Sequence, residues 1–239
     1  MLCAELLTIT PDAENKIVEM ARVSSNPPLN MNIKIINNFK DIQTTPRILQ
    51  SSRLIKYLLD HHHWSPFEMC NMTIKITTTR DISRQILRHR SFSFQEFSQR
   101  YQDIKVLNEM PVFRECRLQD IKNRQNSLQC DNEELKHIWY QQQVDVWNAS
   151  ISAYNKVIAL GIAKEQARAL LPEGMVKTQM YMTGSIRSWI HYIQIRTGPE
   201  TQKEHRYVAQ EIKKIFCNNL PIIAEALWPA MDSSPIVTN

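Results

Sequence analysis

The sequence predicts a single α+β domain over residues 1–230, and three observations lead there. Between Cys70 and Thr77 apolar and polar side chains alternate, the period of a half-buried strand. Elsewhere apolar residues recur at helical spacing, most extensively from Asp131 to Leu160. No repeat, linker or low-complexity segment divides the 239 residues, a length ample for burying a core.

Taken in order, Glu5 to Thr10 reads as a short strand. A helix follows, with Thr10 as cap and Pro11 in its first turn, Ile17, Val18 and Ala21 as its apolar face, and its end near Ser24. Asn26 to Asn30, holding Pro27 and Pro28, is a loop. From Pro46 to about His61, Ile48, Leu54, Ile55, Leu58 and Leu59 recur at helical spacing. Phe67 to Thr79 is the alternating strand. Arg80 to His89 returns to helix through Ile82, Ile86 and Leu87.

Ser91 to Tyr101 has no clean period and reads as a functional loop or irregular helix start, and Lys105 to Gln129 is mixed and polar. In the long helix Asp131 with Glu134 resembles a capping box, and Gly161 suits the position after the last turn. Its stripe is Leu135, Ile138, Trp139, Val146, Ala149, Ala153, Val157 and Leu160. Helices are also expected over Ala163–Leu171, stopped by Pro172, over Ser185–Arg196 and over Glu200–Asn218, with a flexible tail at residues 231–239.

Composition excludes several function classes. Hydrophobic residues make up 43% and charged residues 22%, proportions of a globular rather than a disordered chain. No apolar run approaches the roughly 18–20 residues needed to cross a bilayer. The N-terminus has no basic region and carries an early Glu5, so neither a signal peptide nor a membrane partner is expected, and the expected location is cytoplasmic. Five scattered cysteines without a C-x-x-C pair argue against a disulfide framework and against a cysteine-rich zinc site. Glycine occurs only at 161, 174, 184 and 198, so neither a G-x-G-x-x-G nor a P-loop can be written. A bound phosphate is therefore expected to rest on side chains and helix N-termini.

The chemistry concentrates between Gln85 and Tyr101. Within 17 residues stand Arg88, His89, Arg90, Glu96, Ser98 and Arg100. Guanidinium groups bind phosphates through paired hydrogen bonds. Glu96 is an acceptor for a ribose hydroxyl or a base N–H, and Ser98 with loop amides completes a phosphate cradle. Two other readings compete: a solvated basic helix end, and a non-catalytic nucleic-acid-binding protein using segment 84–101 as a phosphate patch. The adjacent His61, His62 and His63 cannot all face one ion, and no carboxylate or cysteine cluster accompanies them, so no metal is expected. Nor does any hydrolase-like motif place a base beside Ser98. Trp139, Trp147 and Tyr154 read as core and interface packing.

The string itself discriminates. Arg88-His89-Arg90, seven residues, then Ser98, with Gln85 upstream and Glu96, Arg100 and Tyr101 flanking, resembles the signature of the flavin-dependent thymidylate synthases. Ala21-Arg-Val-Ser24, His63-Trp-Ser65-Pro-Phe-Glu68, Ala167-Arg168-Ala-Leu-Leu-Pro172 and the block from Thr183 to Arg196 are similar to further elements of that family, in family order. Four positions depart from its pattern: Gln95 in place of asparagine, Met69 in place of histidine, Ser185 in place of asparagine, and one extra residue between Pro172 and Thr183.

The resemblance implies a central, mostly antiparallel sheet flanked by long helices, and methylation of dUMP to dTMP. The carbon donor would be methylenetetrahydrofolate, with NADPH as reductant through FAD. By the same resemblance Ser24, His63, Ser65, Arg88, His89, Arg90, Glu96, Ser185, Arg187 and His191 hold FAD. Gln85, Arg88, Glu96, Phe97, Ser98, Gln99, Arg100, Arg168 and Arg196 hold dUMP, with Arg196 beside the uracil as the catalytic group. No enzyme cysteine attacks the pyrimidine, and the assembly implied is a homotetramer with active sites shared between subunits. No nucleic-acid partner is implied.

Overall fold

The computed structural model describes residues 2–23, 46–102 and 110–229, and for 46–50 the backbone alone. The expected 26–30 loop and the tail at 231–239 lie outside those residues. The alternating segment is strand β2 (Asn71–Thr79), and Met72, Ile74 and Ile76 are fully buried on its inner face. β2 is central because it finds a partner on each side. β1 (Cys3–Ile9) pairs with one edge and β6 (Lys177–Ser185) with the other, β6 along all nine residues from Asn71↔Ser185 to Thr79↔Lys177. β3 (Ser93–Glu96) adds to the far side of β6, giving a four-stranded antiparallel sheet in the order β1-β2-β6-β3. A separate hairpin joins β4 (Arg117–Gln119) to β5 (Ser127–Gln129).

Helices α1 (Ala13–Arg22), α2 (Pro46–Asp60), α4 (Arg80–Ile86), α7 (Ile186–Arg196), α8 (Lys203–Asn219) and α9 (Pro221–Leu227) build the main core around that sheet. α8 shows why: Val208, Ala209, Ile212 and Phe216 fall on one face and are all buried, with His205 one turn earlier on the same face. A smaller cluster gathers Trp147 and Tyr154 of α5 (Glu133–Ala159) against Ala167, Leu171 and Val176.

Several local expectations are corrected. Thr10 caps no helix: its hydroxyl accepts from the Asn71 amide at 2.9 Å and so extends the β1–β2 pairing. α1 begins at Ala13 instead, after Asp12 in the left-handed region at φ 54°. The residues before β2 are not strand, because Ser65–Glu68 forms a helical turn, α3, with Pro66 in its opening positions and Phe67 fully buried.

The cap of α5 is Asn132 rather than Asp131, its side chain accepting from the Leu135 amide at 3.0 Å. The buried face of α5 is also different from the predicted stripe. Gln143, Trp147 and Tyr154 point inward, while Leu135, Ile138, Trp139 and Val146 are exposed. Gln143 occupies a seam position because its amide serves both the N–H and the C=O of Arg114, at 2.7 and 3.0 Å. The far end behaves as expected: Gly161, at φ 84°, and Ile162 donate to the carbonyls of Ile158 and Val157, a Schellman ending. The stretch 163–171 divides into α6 (Lys164–Ala167) and a 3-10 turn at Arg168–Leu170. β3 forms where a loop or irregular helix start is expected, β4 and β5 form within the mixed polar stretch, and β6 and α9 add to the expected elements.

Candidate active site

Four groups of polar side chains surround the β3–β6 side of the sheet and the helices at its ends. The first is centred on Glu96, the last residue of β3. Its Oε1 accepts from Ser83 Oγ at 2.6 Å, Thr178 Oγ1 at 2.8 Å and Arg80 Nη1 at 3.2 Å. Arg80 and Glu96 are each 17% exposed, so this pair is largely shielded from solvent. Arg80 also donates to the carbonyl of Phe97, whose amide bonds back to Gln179 of β6. These bonds fix the chain path just before Ser98, Gln99 and Arg100.

The second group lies where β2, β6 and α7 converge. Register places Asn71 opposite Ser185, and Ser185 caps α7 by accepting from the Ser188 amide at 3.2 Å. The Ser185 hydroxyl donates to Glu68 Oε2 at 2.5 Å, while Glu68 Oε1 faces Arg187 Nε at 3.6 Å. A cavity of about 320 Å³ opens here, lined by Glu68, Ser91, Ser93, Arg187 and Ser188 among others. Gly184 is part of its wall. A Cβ there would fall 2.5 Å from the ring of Phe92, which packs edge-on against Trp189 at 4.7 Å. The ring can therefore seat against the β6 backbone and turn the Arg88–Ser91 segment over the end of the sheet.

The third group follows that turn inward. Arg196, at the end of α7, donates from Nε to His89 Nε2 at 2.9 Å. The His89 ring stands edge-on to Tyr192 at 4.9 Å, and Tyr192 OH meets His205 Nε2 at 3.1 Å. His205 Nδ1 in turn meets Gln85 Oε1 at 3.3 Å. Burial, then the Arg196 charge, then His191 hold His89 down to about 4, and burial followed by Arg196 and His89 holds His205 down to about 3. Both imidazoles are neutral at pH 7.

Since each folded value lies below the ordinary histidine value of about 6.5, the unfolded chain binds the extra protons. The stability contribution is complete above about pH 6.5 and is lost as pH falls through about 4 and 3. The expected result is that the two imidazole resonances keep their neutral NMR shifts at pH 5, while the denaturation midpoint falls between pH 6.5 and 4. Titration of either ring near pH 6.5 would contradict it.

The fourth group is at the chain segment after β3. Arg100 faces Glu165 Oε2 at 3.6 Å, and Arg168 Nε donates to the Glu165 carbonyl at 3.2 Å. These two arginines, distant in sequence, thus both engage Glu165 of α6, Arg100 through its carboxylate and Arg168 through its backbone carbonyl.

Of the residues singled out in the sequence, Gln85, His89 and Arg196 come together through the ring cluster, Arg100 and Arg168 through Glu165, and Ser185 and Arg187 through Glu68. Arg187, His191 and Arg196 do not present one common surface: Arg187 and His191 are exposed, whereas Arg196 is half-buried against His89. Arg88 and Arg90 are exposed, and no ion pair among the described residues involves them. Phe97 and Ser98 are half-buried and Gln99 is buried. His63 is exposed with Tyr57 edge-on at 5.8 Å, and Ser65 opens α3. Ser24 lies outside the described residues.

The sequence reading missed Arg80, Ser83, Thr178, Gln202, Glu204 and His205. Only His205 carried a local signal, a histidine on the apolar face of α8. Among the described residues no group of three His, Cys, Asp or Glu is placed to hold a metal ion, and no helix is long and apolar enough to cross a membrane.

The family model described as thymidylate synthase complementing protein matches residues 5–222, a span that contains all four groups. The chain belongs to the flavin-dependent thymidylate synthase family. Among the relatives of this enzyme family, a flavin-dependent thymidylate synthase of Synechocystis sp. is 50% identical over 176 residues, covering 74% of this chain and 80% of the relative. A probable flavin-dependent thymidylate synthase of Paramecium bursaria Chlorella virus 1 is 42% identical over 233 residues, 95% and 99% of the two chains. The crystal structure of a UMP/dUMP methylase, PolB from Streptomyces cacaoi bound with 5-Br dUMP, superposes with a TM-score of 0.76 at 23% identity over 95% of this chain and 94% of that one. The antiparallel sheet with its helices is thus a fold found in the structures of nucleotide-methylating proteins.

Proposed function

We propose that the protein converts dUMP to dTMP reductively, with methylenetetrahydrofolate as carbon donor and NADPH as reductant through FAD. The observation that carries this reading is the convergence of Gln85, His89 and Arg196 where α4, α7 and α8 meet, with the guanidinium groups of Arg88 and Arg90 exposed next to His89 in the chain and in no ion pair among the described residues. Family membership supplies the reaction class.

The residues present suit a flavin nucleotide. The cavity at the start of α7 is rich in hydroxyls and bounded by Arg187, a lining for a polar portion of the cofactor. Arg88 and Arg90 carry charge that no carboxylate among the described residues neutralises, which suits a diphosphate in a chain without a glycine-rich loop. Ser185, Arg187 and His191 would line the same cofactor, together with His63, Ser65 and Ser24. Bound FAD would supply the redox chemistry.

The chain's own residues supply position and charge. Arg100 and Arg168, with the Ser98 hydroxyl, would grip the nucleotide phosphate. Gln85, Glu96 and the 97–99 backbone would orient the sugar and base. Arg196 would face negative charge developing on the pyrimidine.

The nucleic-acid reading has less support, because the basic segment is interleaved with acids: Arg80 pairs with Glu96, Arg84 with Glu173 and Arg100 with Glu165. The exposed apolar residues of α5, Ile138 and Val146 included, support assembly into a homotetramer with shared sites.

Purified protein is expected to take up FAD with a flavin absorption band and to form dTMP from dUMP, methylenetetrahydrofolate and NADPH. A protein that binds no FAD on titration, or that binds it yet makes no dTMP, would overturn the reading. Burial raises the thiols of Cys70 and Cys217, the reverse of nucleophile activation. Serine at each of the five cysteine positions in turn is therefore expected to retain dTMP formation. Complete loss in one variant that still binds FAD and dUMP would indicate a thiolate step.

A further inference from the structure

The hydrogen bonds around Gln85 form a chain whose direction is set at its acidic end. Glu204 lies 12% exposed and accepts from Arg117 Nη2 at 2.5 Å. Burial alone would raise its carboxyl, but hydrogen bonds from Arg117, its own backbone amide and Gln202 outweigh that and hold it below the ordinary value. A carboxylate only accepts. Gln202 must therefore present Nε2 to Glu204 Oε2, at 2.9 Å, and keep Oε1 on its other side. That oxygen accepts from Gln85 Nε2 at 2.7 Å, so Gln85 must turn Oε1 toward His205.

His205 Nδ1 then carries the proton, and its Nε2 accepts from the hydroxyl of Tyr192. His205 and Tyr192 are fully buried, so neither can substitute water for a lost partner. Reversing the Gln85 amide would set two acceptors 2.7 Å apart at Gln202 and two donors face to face at His205.

We propose that Glu204, Gln202 and His205 are positioning residues that fix which end of the Gln85 amide meets the nucleotide. The relay engages Gln85 Oε1 and one Nε2 hydrogen, and it leaves the second Nε2 hydrogen for a ligand. Gln85 thus meets dUMP as a hydrogen-bond donor, suited to an acceptor such as a sugar or pyrimidine carbonyl oxygen. This rests on the proposed role of Gln85 in holding dUMP. None of the three is near Gln85 in sequence: Gln202 and His205 are separated from it by 117 and 120 positions.

The test is a double-mutant cycle on the flavin-loaded protein. His205→Leu removes the donor at similar bulk. It is expected to raise KM for dUMP about tenfold, the scale of leaving a buried acceptor unpaired. Flavin reduction by NADPH without nucleotide should be unchanged. His205→Asn, whose amide can replace Nδ1–H, should recover KM to within about threefold. Gln85→Ala combined with His205→Leu should be no worse than Gln85→Ala alone.

Additive effects, or an asparagine variant as impaired as the leucine one, would overturn the relay while leaving Gln85 in place. If Gln85→Ala itself leaves KM for dUMP unchanged, the role of Gln85 fails and the relay falls with it. Should His205→Leu not fold, Gln202→Leu at its half-buried position takes its place in the cycle with Gln85→Ala: a non-additive effect supports the relay and an additive one overturns it.

Discussion

Replacing Arg196 with lysine is expected to slow dTMP formation by about a hundredfold, while NADPH still reduces the bound flavin at the wild-type rate. The reason is geometric. Arg196 spends its Nε–H on His89 Nε2 at 2.9 Å, which leaves the two terminal nitrogens of the guanidinium as a fork for another ligand. Lysine offers one ammonium head. Its three N–H donors diverge from one nitrogen and cannot reproduce the planar spacing between the His89 bond and a two-pronged edge, so charge survives but placement does not. A hundredfold is the usual scale for losing one preorganised charge-stabilising donor. Stopped-flow flavin reduction and product assays on one preparation separate the steps. Collapse of reduction with normal methylation from pre-reduced enzyme would assign Arg196 to the flavin instead.

Glu96→Ala is expected to destabilise the fold by about 3–5 kcal/mol, because it takes the carboxylate from the largely shielded Arg80 guanidinium and leaves it the neutral Phe97 carbonyl. Its carboxylate is the shared acceptor of Arg80, Ser83 and Thr178, which come from the start of α4, its second turn and β6. All three bonds reach Oε1, and Arg80 is 17% exposed, so water compensates little. For a chain of this size the loss corresponds to a fall in Tm on the order of 10 °C. Glu96→Gln retains an acceptor oxygen and is expected to fall by less than half as much. Thermal unfolding with and without FAD and dUMP measures both variants. An unchanged Tm in Glu96→Ala, with loss confined to nucleotide binding, would show that Glu96 serves the ligand and not the framework.

The segment from Gln85 to Tyr101 was legible because chemical density is local: guanidiniums, an imidazole, a carboxylate and hydroxyls within 17 residues need no tertiary knowledge to be noticed. What each does there was not legible. Glu96 reads as a ligand acceptor, yet Oε1 is occupied by three protein donors. His89 is expected among the residues that hold FAD, and burial and the neighbouring Arg196 make it a neutral ring there. The α5 stripe shows the same limit from the packing side. Counting apolar residues selected Leu135, Ile138 and Val146, whereas Gln143 took the buried seam because its amide satisfies Arg114. β6 carries an alternation too, at Thr178, Met180 and Met182, all fully buried, but it is a single short run set between two helical segments.

The sequence by itself determined the strand at β2, most of the helices, and the family through motifs spread from Ala21 to Arg196. Each of these is a short-range property, set by period, capping or residue order along a few turns of chain. Tertiary structure alone decided that Arg100 reaches Glu165, that His89 holds Arg196, and that Gln85 is oriented from Glu204. Those pairings follow from sheet register and helix packing that bring together positions roughly 70 to 120 residues apart. Once such groups are buried, the requirement that every donor find an acceptor fixes orientations and charge states that no local pattern encodes.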